Sequence, residues 1–371
     1  MGTGALGRYL YSLGEEGATD LHLKPGSPPK LRCNGELAPL RSEATLLPAE
    51  VQEIVEHVLT DDARRSLAVS GEAWCTHAVS GIGRFRVRAF SQRGSIALVI
   101  RRIPDKVASI DELGVPQAVE ELTAAPAGLV IVAGPPRSGR RTTLASMLDH
   151  LNRTRAVHVV AVERPVELLH RDVMSSVSQL EVGADTPSFA AGIHSAVASD
   201  GDVVVVSDIE DAETAEAALS AVEDGLLVLA GMDGASVVDV LGRFLGFFPA
   251  GRRDSVRLSL SAALLGTVCQ RLAPTIGGAG RAPVVEVVPA TTRVRELLLE
   301  ADSLAAIAGL VSAGGDGMQS FEAAIADLVE QGRIDLRGAL AVTEDWDGLR
   351  QLLNERGLLA AEPTLDPVAP A

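Results

Sequence analysis

The second half of the chain alternates between apolar runs of strand length and segments with helical periodicity. The apolar runs lie at 129–133, 157–162, 203–207, 226–230 and 283–288. Helices are expected at 189–197, 212–223, 256–272, 294–299 and 321–331. Strands separated by helix-length segments are typical of a mostly parallel sheet covered on both faces. The pattern therefore predicts an α/β domain at 119–290 and a helical C-terminal region at 291–359.

The first hundred residues show a different pattern, in which short strands alternate with turns. Residues 1–14 are rich in glycine and are expected to fray. Strands are expected on both sides of the Asn34-Gly35 pair, which is typical of a hairpin. A helix is expected from Pro48, and more strands across 72–103. This predicts an N-terminal α+β domain at 1–103, followed by a linker at 104–118. The proline-rich end of the chain, 360–371, is expected to be a disordered tail.

Composition and charge exclude several classes of partner. The 371 residues carry a net charge of −16, which would repel nucleic acid and anionic membrane surfaces. Three scattered cysteines show no metal-ligand spacing. The apolar runs are far shorter than the ~20 residues that a membrane span needs, and no secretory signal pattern is visible. We therefore expect a cytoplasmic protein with no nucleic-acid partner and no direct membrane insertion.

The main chemical signal is the segment LVIVAGPPRSGRRTTL at 129–144, in which an apolar run, a glycine loop and a helical pattern follow one another. The spacing Gly134-x-x-x-x-Gly139 matches a phosphate-binding loop, which continues with Lys and then Ser or Thr. Here Arg140 and Arg141 follow instead. The candidate nucleotide-binding residues are Gly134, Ser138, Gly139, Arg140, Arg141, Thr142 and Thr143.

The two arginines leave three interpretations of this loop open. Arg140 has the charge of the usual lysine, but its planar fork cannot replace a compact ammonium without moving the phosphates. Arg141 stands at the Mg²⁺-ligand position and cannot ligate a metal. Thr142 can supply the missing hydroxyl only from a position about 100° further around the helix. The loop is therefore an anion-binding site, a working Mg-ATP site, or a fold element whose arginines pair with nearby carboxylates.

Six segments in order carry a resemblance to a known family. They are ATDLHLKPGSPPKLRCNGEL, GRFRVRAFSQRGSIALVIRRIP, LVIVAGPPRSGRRTTLASMLDHLN, VVAVERPVELLH, VVVVSDIEDAETAEAALSAVEDG and GMQSFEAAIADLVEQGRI. Together they resemble the PilT-type retraction ATPases of type IV pili, within the type II/type IV secretion ATPase family. The resemblance implies a PAS-like N-terminal domain and a RecA-like P-loop NTPase domain. It also implies ATP and Mg²⁺ as cofactors, a cytoplasmic hexamer, and a pilus or secretion platform in the inner membrane as partner.

The chain differs from the family pattern at positions that the resemblance implies for nucleotide binding and hydrolysis. Arg164 replaces an Asp beside Glu163, and Glu210 falls where the family has an Arg. Asp208 stands at the position of the catalytic Glu. In GLLVLAGMDGAS, the two positions that are histidines in the family are held by Leu226 and Asp233.

Glu163 and Asp208 are the candidate catalytic residues. Glu163 can orient a water molecule or a metal-bound water, or it can form a salt bridge with one of the nearby arginines, Arg140, Arg141 or Arg164. Asp208 is a competent base but is one methylene short, and a displacement of about 1 Å can lower a rate a hundredfold. Its alternative role is that of a solvated or paired carboxylate at a strand end.

The N-terminal domain adds a group of arginines. Arg84, Arg86 and Arg88 alternate along RFRVRAF and are expected on one face of a strand, and Arg101 and Arg102 end the next strand. In the family, arginines from this region reach the nucleotide across the domain interface. The alternative is that they pair with acidic residues at a subunit interface.

The departures affect the site chemistry, whereas the matches cover the strands and packing segments. The sequence therefore predicts a pseudo-ATPase that regulates or scaffolds a pilus or secretion platform. We expect a homohexamer, or a mixed oligomer with an active paralogue, held at the inner membrane through its partners. The alternative is a slow but genuine ATPase that powers pilus retraction, and a third interpretation is a pocket for another phosphorylated ligand. The segment TRVREL at 292–297 is an altered form of a segment typical of retraction motors.

Overall fold

The computed structural model describes residues 4–33, 36–40, 43–103, 107–277, 280–301 and 303–359. The chain divides into two compact units, residues 1–106 and 107–371. Asn34-Gly35 and the expected tail at 360–371 lie outside the described residues.

The first unit is a six-stranded antiparallel sheet with three helices. Its elements are α1 (Ala5–Glu15), β1 (Asp20–Leu23), β2 (Lys30–Cys33), β3 (Glu36–Pro39), α2 (Pro48–Val58), α3 (Asp61–Ser70), β4 (Glu72–Val79), β5 (Gly83–Gln92) and β6 (Ser95–Ile103). The strand order is β3-β2-β1-β6-β5-β4. The hairpin of β2 with β3, the helix from Pro48 and the strands across 72–103 are confirmed.

Helices α1 and α3 were not expected from the sequence. The expected fraying of residues 1–14 is wrong for the described residues 5–14, because Leu6, Leu10 and Leu13 recur at helical spacing and are buried in the core of this unit. That apolar stripe outweighs the cost of glycine, about 1 kcal/mol per residue. Helix α3 is capped by the Thr60 hydroxyl, which accepts a hydrogen bond from the Ala63 backbone N–H.

The second unit is a seven-stranded sheet with helices on both faces and a helical C-terminal region. Its elements are α4 (Ile110–Leu113), α5 (Ala118–Thr123), β7 (Gly128–Ala133), α6 (Arg140–Thr154), β8 (His158–Glu163), β9 (Ser176–Glu181), α7 (Phe189–Ala198), β10 (Val203–Val206), α8 (Ala212–Glu223), β11 (Leu227–Met232), α9 (Val237–Gly246), a short 3-10 helix (Ala250–Arg252), α10 (Arg253–Ala263), β12 (Leu264–Pro274), β13 (Arg281–Pro289), α11 (Thr292–Leu299), α12 (Leu304–Ala313), α13 (Phe321–Glu330), α14 (Leu336–Leu340) and α15 (Trp346–Glu355).

The sheet has the order β13-β12-β7-β11-β10-β8-β9, and all neighbours are parallel except β12 and β13. The predicted α/β class with a mostly parallel sheet and a helical C-terminal region is confirmed. Because parallel strands end at the same edge, the segments after β7, β8, β10 and β11 come together there. These segments are residues 134–139, 164–167, 207–210 and 233–236.

The long helix expected at 256–272 is wrong in its second half. Helix α10 ends at Ala263, and β12 then runs between β7 and β13. A continuous apolar run in a buried layer does not distinguish helix from strand by periodicity. Gly266 and the β-branched residues Thr267 and Val268 favour the strand.

The expected linker at 104–118 is shorter in the structure. Residues 104–106 lie outside the described residues, but Ile110 and Val115 are buried with Val119 in the core beneath the sheet of the second unit. The segment from Val107 onward therefore belongs to that unit.

Candidate functional site

The loop at residues 134–139 joins β7 to α6 and can be built only with glycine at two positions. A Cβ on Gly134 would lie 2.3 Å from Ser138 Oγ and 2.5 Å from the Gln270 carbonyl oxygen. Gly139 caps α6 with a φ of +88°, and a Cβ there would lie 2.7 Å from Gln270 Nε2. The glycine spacing is therefore required by the packing of the loop against β12.

Gln270, on β12, anchors this loop. Its Nε2 donates to the Ser138 carbonyl at 2.8 Å, and its Oε1 accepts from the Thr143 hydroxyl at 2.7 Å. Thr143, a predicted nucleotide-binding residue, is buried and faces this amide, whereas Thr142 is exposed. The sequence interpretation missed Gln270 because it placed 256–272 in a helix.

The Arg140 side chain lies against the 134–139 loop, with 12% of its surface exposed. It donates to the Gly134 carbonyl at 2.8 Å and to the Asp208 carboxylate at 2.5 Å, and it forms an ion pair with Asp233. The guanidinium thus joins the 134–139 loop to the ends of β10 and β11.

Arg141 binds the other oxygen of the same aspartate. Its Nη2 lies 2.8 Å from Asp208 Oδ2, and its Nη1 lies 2.9 Å from Glu167 Oε1. Burial alone would lower the pKa of Arg141, but the two carboxylates outweigh burial and hold that pKa above its usual value. We call the set Arg140, Arg141, Asp208, Asp233 and Glu167 the arginine–carboxylate network.

Asp208 lies at the centre of the network and is only 8% exposed. Each of its two oxygens binds a guanidinium, and Oδ2 also accepts a hydrogen bond from the Ser207 hydroxyl at 3.2 Å. Asp208 is thus a paired carboxylate at the end of a strand, and its role as a catalytic base stays a prediction. Asp233, at one of the family's histidine positions, is 57% exposed and bound to Arg140.

Glu163, the other candidate catalytic residue, lies beside the network at the end of β8. It accepts a hydrogen bond from Gln179 Nε2 at 2.8 Å, and the described residues show no ion pair between Glu163 and Arg140, Arg141 or Arg164. Burial raises the pKa of Glu163 from 4.5 to about 7, although the Gln179 hydrogen bond acts in the opposite direction. This carboxyl group can therefore hold or release a proton near neutral pH.

Two of the charge departures compensate each other. Arg164 Nη1 donates to Glu210 Oε1 at 3.0 Å, and the Arg164 guanidinium carbon lies 4.9 Å from the centre of the Phe189 ring. Arg164 and Glu210 thus form one ion pair between the segments that follow β8 and β10. In the network, likewise, Arg140 binds Asp208 and Asp233, and Arg141 binds Asp208.

The arginines of the first unit lie on one face of β5, as expected, and alternate with the buried residues Phe85, Val87 and Ala89. Arg86 and Arg88 lie 4.6 Å and 4.8 Å from the centre of the Trp74 ring, and Arg88 pairs with Glu72 at 3.1 Å. On β6, Arg101 pairs with Asp20 at 2.7 Å. The other two arginines of the predicted set are Arg84 on β5 and Arg102 on β6. A role for these five arginines at a nucleotide remains a prediction.

A helix long and apolar enough to cross a membrane is not found in the part of the chain that the structure describes. The same part holds no cluster of three or more histidine, cysteine or acidic residues that could bind a metal ion.

The fold and the sequence together define the class of protein. The family described as type II/IV secretion system protein matches residues 46–340, and the chain belongs to that family. The type IV pilus retraction ATPase PilT of Pseudomonas aeruginosa is 35% identical over 331 residues, which cover 88% of this chain and 94% of PilT. The type IV pilus ATPase PilU of the same organism is 33% identical, over 91% of this chain and 88% of PilU.

A solved structure agrees with this assignment. The crystal structure of the pilus retraction motor PilT with bound ADP has a TM-score of 0.84 to this chain at 35% identity, covering 92% of this chain and 97% of that one. The predicted resemblance to the PilT-type pilus and secretion ATPases is confirmed.

Proposed function

We propose that this protein is a non-hydrolysing subunit of the pilus and secretion motor family, whose phosphate site is filled by its own arginine–carboxylate network. The observation that carries the proposal is the position of Asp208, whose two oxygens bind Arg140 and Arg141 at 2.5 Å and 2.8 Å. A nucleotide phosphate must displace these contacts before it can bind. The carboxylates that remain would then repel it.

The residues present do not fit a magnesium ion. Arg141 occupies the position of the hydroxyl ligand, and its positive charge opposes a divalent cation. Ser138 offers a hydroxyl in the loop, but this residue is buried, and Arg140 and Arg141 stand two and three residues after it.

The proposed role is to regulate or scaffold a pilus or secretion platform. PilT and PilU of P. aeruginosa are named as type IV pilus ATPases, and this chain keeps the buried sheet and packing helices of that fold. We propose that it forms hexamers alone or with an active paralogue at the cytoplasmic face of the inner membrane. A folded subunit that does not turn over ATP would change the number of working sites in such a ring.

Release of inorganic phosphate from ATP tests this proposal. We expect the purified oligomer with Mg²⁺ to release phosphate no faster than the same buffer without protein. As a control for contaminating ATPases, Glu163→Gln should give the same rate. Release well above background, abolished by Glu163→Gln or Asp208→Asn in folded protein, would contradict the proposal.

The second candidate function is a slow ATPase, and one observation favours it. A buried carboxyl group whose pKa is about 7, such as Glu163, suits a general base. In that case Arg140 would hold the phosphates, and Asp208 or Glu163 would position the attacking water. The phosphate-release experiment separates the two functions.

A ligand other than ATP is tested by thermal shift with nucleotides and inorganic phosphate, each with and without Mg²⁺. A ligand at 100 times its dissociation constant adds about 2.7 kcal/mol of stability. We expect no ligand to give such a shift in the wild-type chain. A shift with a single phosphorylated compound would assign the loop to that compound.

A further inference from the structure

Arg271 lies one residue beyond Gln270 on β12 and is buried, with 9% of its surface exposed. Because neighbouring residues of a strand point to opposite faces, Gln270 reaches the 134–139 loop whereas Arg271 reaches away from it. The guanidinium carbon of Arg271 lies 4.2 Å from the centre of the Phe321 ring, at the start of α13. This side chain plays no part in the site described above.

One guanidinium holds two separate segments by their backbone. Arg271 Nη2 donates to the Ala235 carbonyl at 2.9 Å, and Nη1 donates to the Val342 carbonyl at 2.8 Å. Glu344 Oε1 lies 2.9 Å from Nη2, and the Glu344 side chain is 70% exposed. We call residues 233–236 the Asp233 loop and residues 341–345 the C-terminal turn.

The Asp233 loop begins with the carboxylate that binds Arg140. Its far end is fixed by two more hydrogen bonds, from the Ala235 N–H to Asp239 Oδ2 at 2.9 Å and from the Val237 N–H to Glu286 Oε1 at 2.7 Å. Arg271 adds the contact that fixes the Ala235 carbonyl. Ala235 is half-buried, and a carbonyl removed from water that loses its donor is costly, so the loop conformation depends on this side chain.

We propose that Arg271 is a positioning residue that couples the C-terminal turn to the Asp233 loop, so that displacement of the turn weakens the hold of Asp233 on Arg140. The consequence at Arg140 rests on the proposed function, whereas the coupling of the two segments does not. The coupling acts in both directions, as thermodynamic linkage requires.

Hydrogen exchange of the full-length chain, read by mass spectrometry, tests the proposal. Arg271→Met keeps much of the side-chain length but removes every donor. We expect it to raise exchange about fivefold across residues 232–240, as loss of one hydrogen bond of about average strength predicts. Exchange across 134–141 should also rise. In Arg271→Lys, one ammonium cannot span both carbonyls, so a smaller rise is expected.

Arg356→Met is the matched control, because Arg356 also ties two helices of the C-terminal region together, through Asp327 at 2.5 Å, but does not contact the Asp233 loop. It should raise exchange in α13 and α15 alone. The variant Asp233→Asn separates positioning from general loosening. In that background, Arg271→Met should still raise exchange at 232–240 but should add nothing at 134–141.

Three results would overturn the proposal. The first is unchanged exchange at 232–240 in folded Arg271→Met and Arg271→Lys. The second is an increase at 232–240 in Arg356→Met equal to that in Arg271→Met. The third is an increase at 134–141 that Arg271→Met still causes in the Asp233→Asn background. ATP turnover does not enter these measurements. If the wild-type protein hydrolyses ATP and the variants show the expected changes in exchange, only the proposed function is contradicted. If the wild-type protein does not hydrolyse ATP and the variants lack those changes, only the role of Arg271 is contradicted.

Discussion

At the scale of single residues, the network places two guanidinium groups against three carboxylates. Asp208 is shared, and its side chain and that of Arg140 are each 12% exposed. At that burial the attraction is screened far less than at the surface, and the loss of one partner leaves an uncompensated charge. The shared carboxylate is therefore the most sensitive point of the network.

Asp208→Asn is expected to lower the free energy of unfolding by about 3 kcal/mol, since an amide cannot neutralise the largely buried Arg140 and the half-buried Arg141. Urea denaturation measures this loss. The control is Glu210→Gln, which removes the partner of Arg164 in a half-exposed pair and should cost at most about 1 kcal/mol. Equal effects of the two substitutions would show that the contacts of Asp208 contribute no more than a surface pair.

Glu163→Gln is expected to make stability less dependent on pH. Because the pKa of Glu163 is about 7 in the folded protein and 4.5 is its ordinary value, the folded state holds a proton between these values that the unfolded chain has lost. Stability therefore falls as the pH rises through this window, by up to about 1.4 kcal/mol per pH unit for one group. Glutamine mimics the protonated form and removes this contribution.

Urea denaturation at pH 5.5, 6.5 and 7.5, values chosen as roughly spanning this window, measures the slope. Burial also raises the pKa of Glu286 to about 7, so part of the slope should remain in Glu163→Gln. The control Glu216→Gln removes an exposed carboxylate that pairs with Arg252 and should leave this slope intact. An identical slope in wild type and Glu163→Gln would contradict the assignment of a raised pKa.

The identities of single residues do not predict how the charged side chains of the site pair. Arg164 and Glu210 are 46 residues apart in the chain, and each was interpreted on its own as a reversed charge. Their pairing follows from β8 and β10 being adjacent and parallel, which places both strand ends at the same edge. Two opposite reversals after neighbouring strands were the available signal.

At the scale of elements, the site is a loop packed against a strand. Gly139→Ala should destabilise the fold by more than the roughly 1 kcal/mol that a left-handed backbone costs an ordinary residue. The added cost arises because the new Cβ would lie 2.7 Å from Gln270 Nε2, which holds the loop. Thermal unfolding gives the difference.

Gly225→Ala is the matched control for this prediction. Its φ is +93°, close to that of Gly139, but a Cβ there meets nothing within 4 Å. Gly225→Ala should lower the free energy of unfolding only by the cost of a left-handed backbone conformation, about 1 kcal/mol. If the two substitutions cost the same, the contact of the loop with Gln270 is not tight.

The elements around the loop were predictable because their patterns are local. Leu144, Met147, Leu148 and Leu151 define the buried face of α6, and the four parallel strands that lie beside one another in the middle of the sheet are continuous apolar runs. Strand β12 was missed because it is equally apolar and follows a helix without a break. That one error concealed both Gln270 and Arg271, since their partners are defined only once β12 lies beside β7.

At the scale of the whole molecule, the helical C-terminal region shares the core of the sheet. Phe321 and Ile325 of α13 and Leu349 of α15 are buried in the same cluster as Val284 and Val288 of β13. The boundary at residue 290, which was predicted from the sequence, separates elements that pack together in the structure. The two segments on either side of it are therefore expected to fold as one cooperative unit.

A fragment of residues 107–290 should accordingly fail to fold, whereas 107–359 should fold with a single transition. Removal of the helices would expose one face of β13 to water, at roughly 1.5–3 kcal/mol for each large apolar side chain that loses its cover. Circular dichroism during heating separates the outcomes. A sharp transition for 107–290 would contradict the shared core.

The central claim, that the arginine–carboxylate network excludes nucleotide, is tested most directly by calorimetric titration with ADP and with ATP–Mg²⁺. The wild-type chain is expected to show no binding. The double variant Arg140→Lys with Arg141→Ser restores the residue types of a phosphate loop and is expected to bind. Arg153→Lys, a substitution on the exposed part of the same helix, should behave as wild type. Nucleotide binding by the wild-type chain as tight as that of the double variant would contradict the claim.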